Sequence, residues 1–153
     1  MITPDDSGKL PDVAFAIVSA CSAAAAGFDL CARRADDETI AVAARSAASF
    51  LRALLDATVA VARGHGVEVR PRARTCERLR WEWLASTATV LDGSPSGRLL
   101  SECARILSEV HPSDGRGLGD EITARLRVAS AEAYSLAAAV GQLRQGRLAL
   151  ALT

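Results

Sequence analysis

Apolar positions recur along this chain in steps of three and four, the rhythm of helices that each lay one side against a neighbour. The first seam reads Ile17, Cys21, Ala24, Phe28, Cys31. It predicts a helix from about Pro11, since proline suits a first helical turn, to about Arg34. The second reads Ile40, Ala44, Ala47, Leu51, Leu54, Thr58, Val61. Asp36, Asp37 and Glu38 precede it, acidic residues that suit a cap and the positive end of a helix. Gly64-His65-Gly66 should stop it.

Val67 to Arg74, with Pro71 in its middle, reads as a loop, and Thr75 as the cap of a third helix with the seam Cys76, Leu79, Trp83, Thr87, Val90. Asp92 to Gly97 is a break in which Ser94-Pro95 has the form of a cap followed by a first-position proline. A shorter helix carries Leu99, Cys103, Ile106 and Val110 and should end at His111-Pro112. Ser113 to Gly119 reads as a turn. The last helix carries Ile122, Leu126, Ala129, Ala133, Leu136, Val140 and Leu143, with Gly141 and Gly146 weakening its final turns. No window sustains the alternation of a strand.

These elements predict an all-α fold: an antiparallel up-down four-helix bundle with one short extra helix or one broken helix, since short loops favour antiparallel neighbours. Small residues facing large ones imply crossing angles of about +20°. Residues 1–10 read as a flexible lead-in, 11–146 as the bundle and 147–153 as a tail. The 153 residues fit one domain, and at that length folding buries roughly 68–70% of the unfolded chain's surface without help from metal or disulfide.

Composition sharpens this. Hydrophobic residues make up 50% of the chain but aromatics only 4%, so alanine, the best helix former, supplies much of the apolar share. Formal net charge is zero, which speaks against a chain built mainly to bind nucleic acid. Four cysteines, at 21, 31, 76 and 103, show no Cys-x-x-Cys and no zinc-module spacing, so they read as buried free thiols of a reducing cytoplasm. Val18-Ser19-Ala20-Cys21 has the form of a lipoprotein cleavage box. Asp5, Asp6 and Asp12 against the single Lys9 deny it a positive leader, and the run Val13–Val18 is short for one. A cytoplasmic protein without a membrane span is the expectation, with lipoprotein cleavage before Cys21 as the minor alternative.

A helical bundle invites a di-iron test, which needs two inward glutamates and two Glu-x-x-His pairs. The two histidines, His65 and His111, have Ala62 and Ser108 three residues before them, and the inward seams hold no carboxylates. No metal or other cofactor is therefore expected. Cys21 and Cys31 share a helix face but stand about 15 Å apart along it, too far to meet. Cys76, Cys103 and His65 are a candidate thiol site without a spacing signal. Arg70, Arg72, Arg74, Arg78 and Arg80 form the one marked charge cluster, a candidate patch for an anionic partner. Trp81 and Trp83 differ by about 200° around a helix. With Trp83 on the seam, Trp81 is expected on a flank, either beneath the Val67–Pro71 loop or at a subunit interface. Gly115 to Gly119 lacks the strand and the Gly-Lys-Ser/Thr of a nucleotide site. No catalytic constellation can be assembled from these residues.

The order of features resembles a bacterial ferritin-like four-helix-bundle family of unknown function. Its matching points are Ala26-Gly27-Phe28 late in the first helix, the Val61–Gly66 ending of the second, Arg80-Trp81 after a loop containing Pro71, Glu102-Cys103-Ala104-Arg105, and Ala131-Glu132-Ala133-Tyr134. The likeness covers roughly residues 13–107, and Ala104 stands where the family has a second glutamate. It implies a bundle fold and leaves the activity open. The resulting expectation is a non-enzymatic bundle that forms a homodimer and acts through protein contacts. The alternatives are a degenerate metal or small-ligand bundle and an anionic-partner or nucleic-acid binder using Arg70–Arg80.

Overall fold

In a computed structural model of the chain, residues 4–70, 74–110 and 118–152 are described. They form five helices and, among the described residues, no strand: α1 (Pro4–Arg34), α2 (Glu38–Gly64), α3 (Arg74–Asp92), α4 (Ser96–Ser108) and α5 (Asp120–Leu152). The all-helical expectation holds.

The three-residue connection after α1 turns the chain straight back. Asp37 caps α2, its carboxylate accepting from the Ile40 amide at 3.1 Å, as the acidic run predicts. At the far end of α2, Gly66 takes a left-handed φ of 78° and Val67 N–H closes onto Ala62 C=O. α1 packs on α2 and on α4, and α5 packs on α4 and on α2, so these four helices contact one another around a shared interior. Among the described helices α3 touches α1 and α4, and lightly.

Most of the interior is made of the seams read from the sequence, but Val61, Ile106, Val110, Leu136 and Val140 are only partly buried and Leu143 is 44% exposed. Ile17, Cys21, Ala24, Phe28 and Cys31 of α1 are all buried. So are Ile40, Ala44, Ala47, Leu51, Leu54 and Thr58 of α2, with the Thr58 hydroxyl donating to Leu54 C=O at 2.8 Å. Leu99 and Cys103 of α4 and Ile122, Leu126, Ala129 and Ala133 of α5 complete it. Alanines at many contact positions let the helices approach closely, as ridge-into-groove packing allows.

Several expectations need correction. α1 begins at Pro4, not Pro11, which lies inside the helix. Pro11 is the eighth residue of α1, so its missing N–H removes one backbone bond, to Ser7 C=O, between the first turns of the helix. Leu10, one residue earlier, is buried in the core and holds those turns in place. Residues 1–3 of the expected lead-in lie outside the described residues. α5 continues to Leu152, through both glycines and through most of the expected 147–153 tail. α4 starts at Ser96 with Pro95 in the cap position, so Ser94 does not cap it. Thr75 lies inside α3's first turn. Residues 111–117, including His111, lie outside the described residues.

The largest correction concerns α3. Its expected seam points outward: Cys76 is exposed, Leu79 is 66% exposed, Trp83 69% and Val90 84%. The buried side is Trp81, Ala85 and Ala88, which are also spaced by four and three. α3 therefore carries two apolar stripes about 180° apart. The inner one wins because alanines let α3 lie close to its neighbours and Trp81 finds a matching hollow.

Candidate functional site

That hollow is made by Gly27. A Cβ placed there would lie 2.5 Å from Cη2 of Trp81 and 2.6 Å from Sγ of Cys103, so only glycine leaves room for the indole. Trp81 is 5% exposed. Its ring is wedged between α1 and α4, beside the Cys103 thiol, which donates to Ala24 C=O at 3.5 Å. Trp81 is thus turned inward against Gly27 and Cys103, which leaves too little of it exposed to anchor a subunit interface. It is the anchor that fixes α3 to the rest of the fold. Two ion pairs flank it: Arg34 of α1 with Glu82, and Arg80 with Glu102 of α4 at 3.5 Å.

Glu102, the carboxylate of the second pair, is also paired with Arg105 of its own helix. Its hydrogen bond with Arg105 holds its pKa below the ordinary 4.5, with Coulombic help from Arg105 and Arg80 against some desolvation. The Arg105 guanidinium is raised in turn, chiefly by the same hydrogen bond.

With Trp81 inward, the opposite side of α3 is an apolar stripe facing solvent. Leu79, Trp83 and Val90 lie along it and Leu91, 61% exposed, stands at its edge. Two clefts run beside α3 over α1. One, of about 520 Å³, lies between α2 and α3 and is lined by Arg33, Arg52, Arg78 and Trp81 over a floor that includes Ala26. Arg52 in its wall is paired with Asp29. The other, of about 370 Å³, lies toward α4 and includes Arg80, Arg105 and Ser19.

Of the expected arginine patch, Arg70, Arg78 and Arg80 have described side chains. Arg78 and Arg80 face different clefts on opposite flanks of α3, as the 200° between them requires. Arg70 is exposed ahead of the helix. Arg72 and the side chain of Arg74 lie outside the described residues. The expected thiol site does not assemble. Cys76 is on the outward face of α3, Cys103 is wholly buried on the inward side of α4, and His65 is exposed at the end of α2. Burial pushes the Cys21 thiol up to about 12. It pushes Cys31 to about 11 against a hydrogen bond from Ser96. Cys103 is also raised, by burial first and then by neighbouring Cys31 and Glu102. These are inert core thiols. Among the described residues no three His, Cys, Asp or Glu side chains come together as a metal site would need.

Sequence reasoning missed the exposed stripe because it assigned the larger side chains to the core. The signal was present in Trp81, Ala85 and Ala88, an equally regular second stripe, and in Gly27, a glycine deep inside α1. One helix, Leu10–Arg34, is long and apolar enough to cross a membrane, with a mean hydropathy of 1.8, but 56% of that window is buried inside the fold. The chain matches no protein-family model, no curated protein and no solved structure.

Proposed function

We propose that this chain is a non-enzymatic helical bundle that works by protein contact, using the outward face of α3. In this reading α1, α2, α4 and α5 form an antiparallel four-helix bundle laid out like the ferritin-like folds, and α3 is a fifth helix pinned to it. α1 is then a core helix of a cytoplasmic protein rather than a span. The observation that carries the reading is the placement of Leu79, Trp83 and Val90 on the exposed side of a helix already fixed through its other side. A folded monomer rarely leaves a row of large apolar side chains in water, and such patches mark interaction sites. Tryptophan is also among the residues that most often anchor interfaces.

Site-specific photo-crosslinking in the producing cell tests this. A photoreactive residue at position 83 should trap a discrete protein adduct. The same residue at position 53, exposed on α2, should not. Equal, diffuse labelling at both positions would remove the reading.

A further inference from the structure

We infer that α3 is a strap: it opens as one unit while the other four helices stay packed, and its opening uncovers the hollow between α1 and α4. The inference does not depend on what the outward face of α3 binds.

Among the described helices α3 meets α1 and α4 and neither α2 nor α5. The other four contact one another in a closed ring, α1 on α2, α2 on α5, α5 on α4 and α4 on α1. Lifting α3 away breaks no contact within that ring. The buried side chains of α3 are Trp81, Ala85 and Ala88, so one large group carries most of its attachment. By contrast α4, with 13 residues against the 19 of α3, buries Leu99, Leu100 and Leu107. The Arg34–Glu82 and Arg80–Glu102 pairs beside Trp81 are part exposed, and such pairs add little. An element with so few buried apolar contacts opens at lower cost than the whole fold.

Gly27 determines what the strap covers. A Cβ there would meet both the Trp81 ring and Cys103 Sγ, so indole and thiol share one hollow. Glycine has no side chain to close that hollow once the ring leaves, and Cys103 then faces water. Cys21 lies about 120° around α1 from Gly27, turned away from α3, and stays covered. The two buried thiols therefore report two different openings.

Prolonged alkylation of C76S, which lacks the exposed thiol, tests this, with the reagent dilute enough that reclosing outpaces reaction. Peptide mass spectrometry reads each site from zero to about 2 M urea, below the unfolding transition. Without urea Cys103 should react at least about tenfold faster than Cys21, because its opening is the cheaper one. Its rate should change little with urea. That of Cys21 should climb steeply, since global unfolding exposes far more surface. Ile122 is buried in α5, which α3 does not touch. I122V should speed Cys21 roughly two- to tenfold and leave Cys103 unchanged, because Ile122 stays packed whether the strap is closed or open. W81A should speed Cys103 by roughly a hundredfold or more, through loss of the buried ring.

Equal rates for the two thiols with one urea slope, or I122V speeding both alike, would overturn the inference. Both readouts hold without W81A, should that variant not fold.

Discussion

Replacing Gly27 by alanine should loosen α3 from the rest of the molecule. In an open helix this change is favourable by about 1 kcal/mol, because alanine is the better helix former. Here the added methyl would sit 2.5 Å from the Trp81 ring and 2.6 Å from the Cys103 sulfur. Neither neighbour is a flexible tip that can swing away at no cost. Full burial of a tryptophan removes about 200 Å² from water, worth about 5 kcal/mol at ~25 cal/mol per Å² as an upper bound. Partial withdrawal of the ring forfeits about half of that, in keeping with the 1–3 kcal/mol typical of overpacked cores. Set against the helix gain, the net loss is about 1–2 kcal/mol, a fall in Tm of roughly 2–8 °C for a chain of this length. The assay uses W83F, in which Trp81 is the only tryptophan left of two. In W83F, Trp81 emission should be blue-shifted and shielded from acrylamide. Adding G27A should shift the emission red and open the ring to quenching. A smaller partner, W81L, should recover part of the G27A loss, giving a measurable coupling between the two sites. If G27A raised Tm and left the emission blue, the socket argument would be refuted.

Alkylation of the native protein at pH 8 should modify Cys76 and leave Cys21, Cys31 and Cys103 untouched, since their thiols are buried and titrate above the ordinary range; peptide mass spectrometry reads the sites. Denaturation should release all four cysteines. Glu102 has a folded pKa below its unfolded value, so its contribution to stability is complete above about pH 5 and is lost as pH falls through the folded pKa. Wild type should therefore lose its stability lead over E102Q on acidification from pH 6 to 3, as followed by urea melts; a constant gap across that range would count against the pairing with Arg105.

Much of the fold is legible in the chain. The seams of α1 and α2 and the first half of the α5 seam, Ile122 to Ala133, are readable because each repeats apolar residues in steps of three and four that the fold buries. Ile17, Phe28, Leu51 and Leu126 have nowhere to go but inward. The stop at Gly64 to Gly66 and the Asp37 cap follow from local chemistry alone, since they depend on backbone groups within a few residues. The candidate site was not legible in the same way. Arg78 and Arg80 part because residues two apart point to opposite flanks of one helix, while Cys76, Cys103 and His65 sit on separate elements, one thiol outward and the other buried.

The amino-acid order by itself determined that this chain is helical, where most of its helices lie and which side of each seeks an apolar interior, because helix period and capping are local properties. It left α3 with two apolar stripes half a turn apart and no local rule to choose between them. Only the tertiary structure decided that choice. The gap at Gly27, created where α1 and α4 meet, admits the Trp81 ring, and alanines at 85 and 88 then lie flat against the fold. Trp83 and Leu79 are turned to water by a vacancy on another helix, information that no window of the α3 sequence contains.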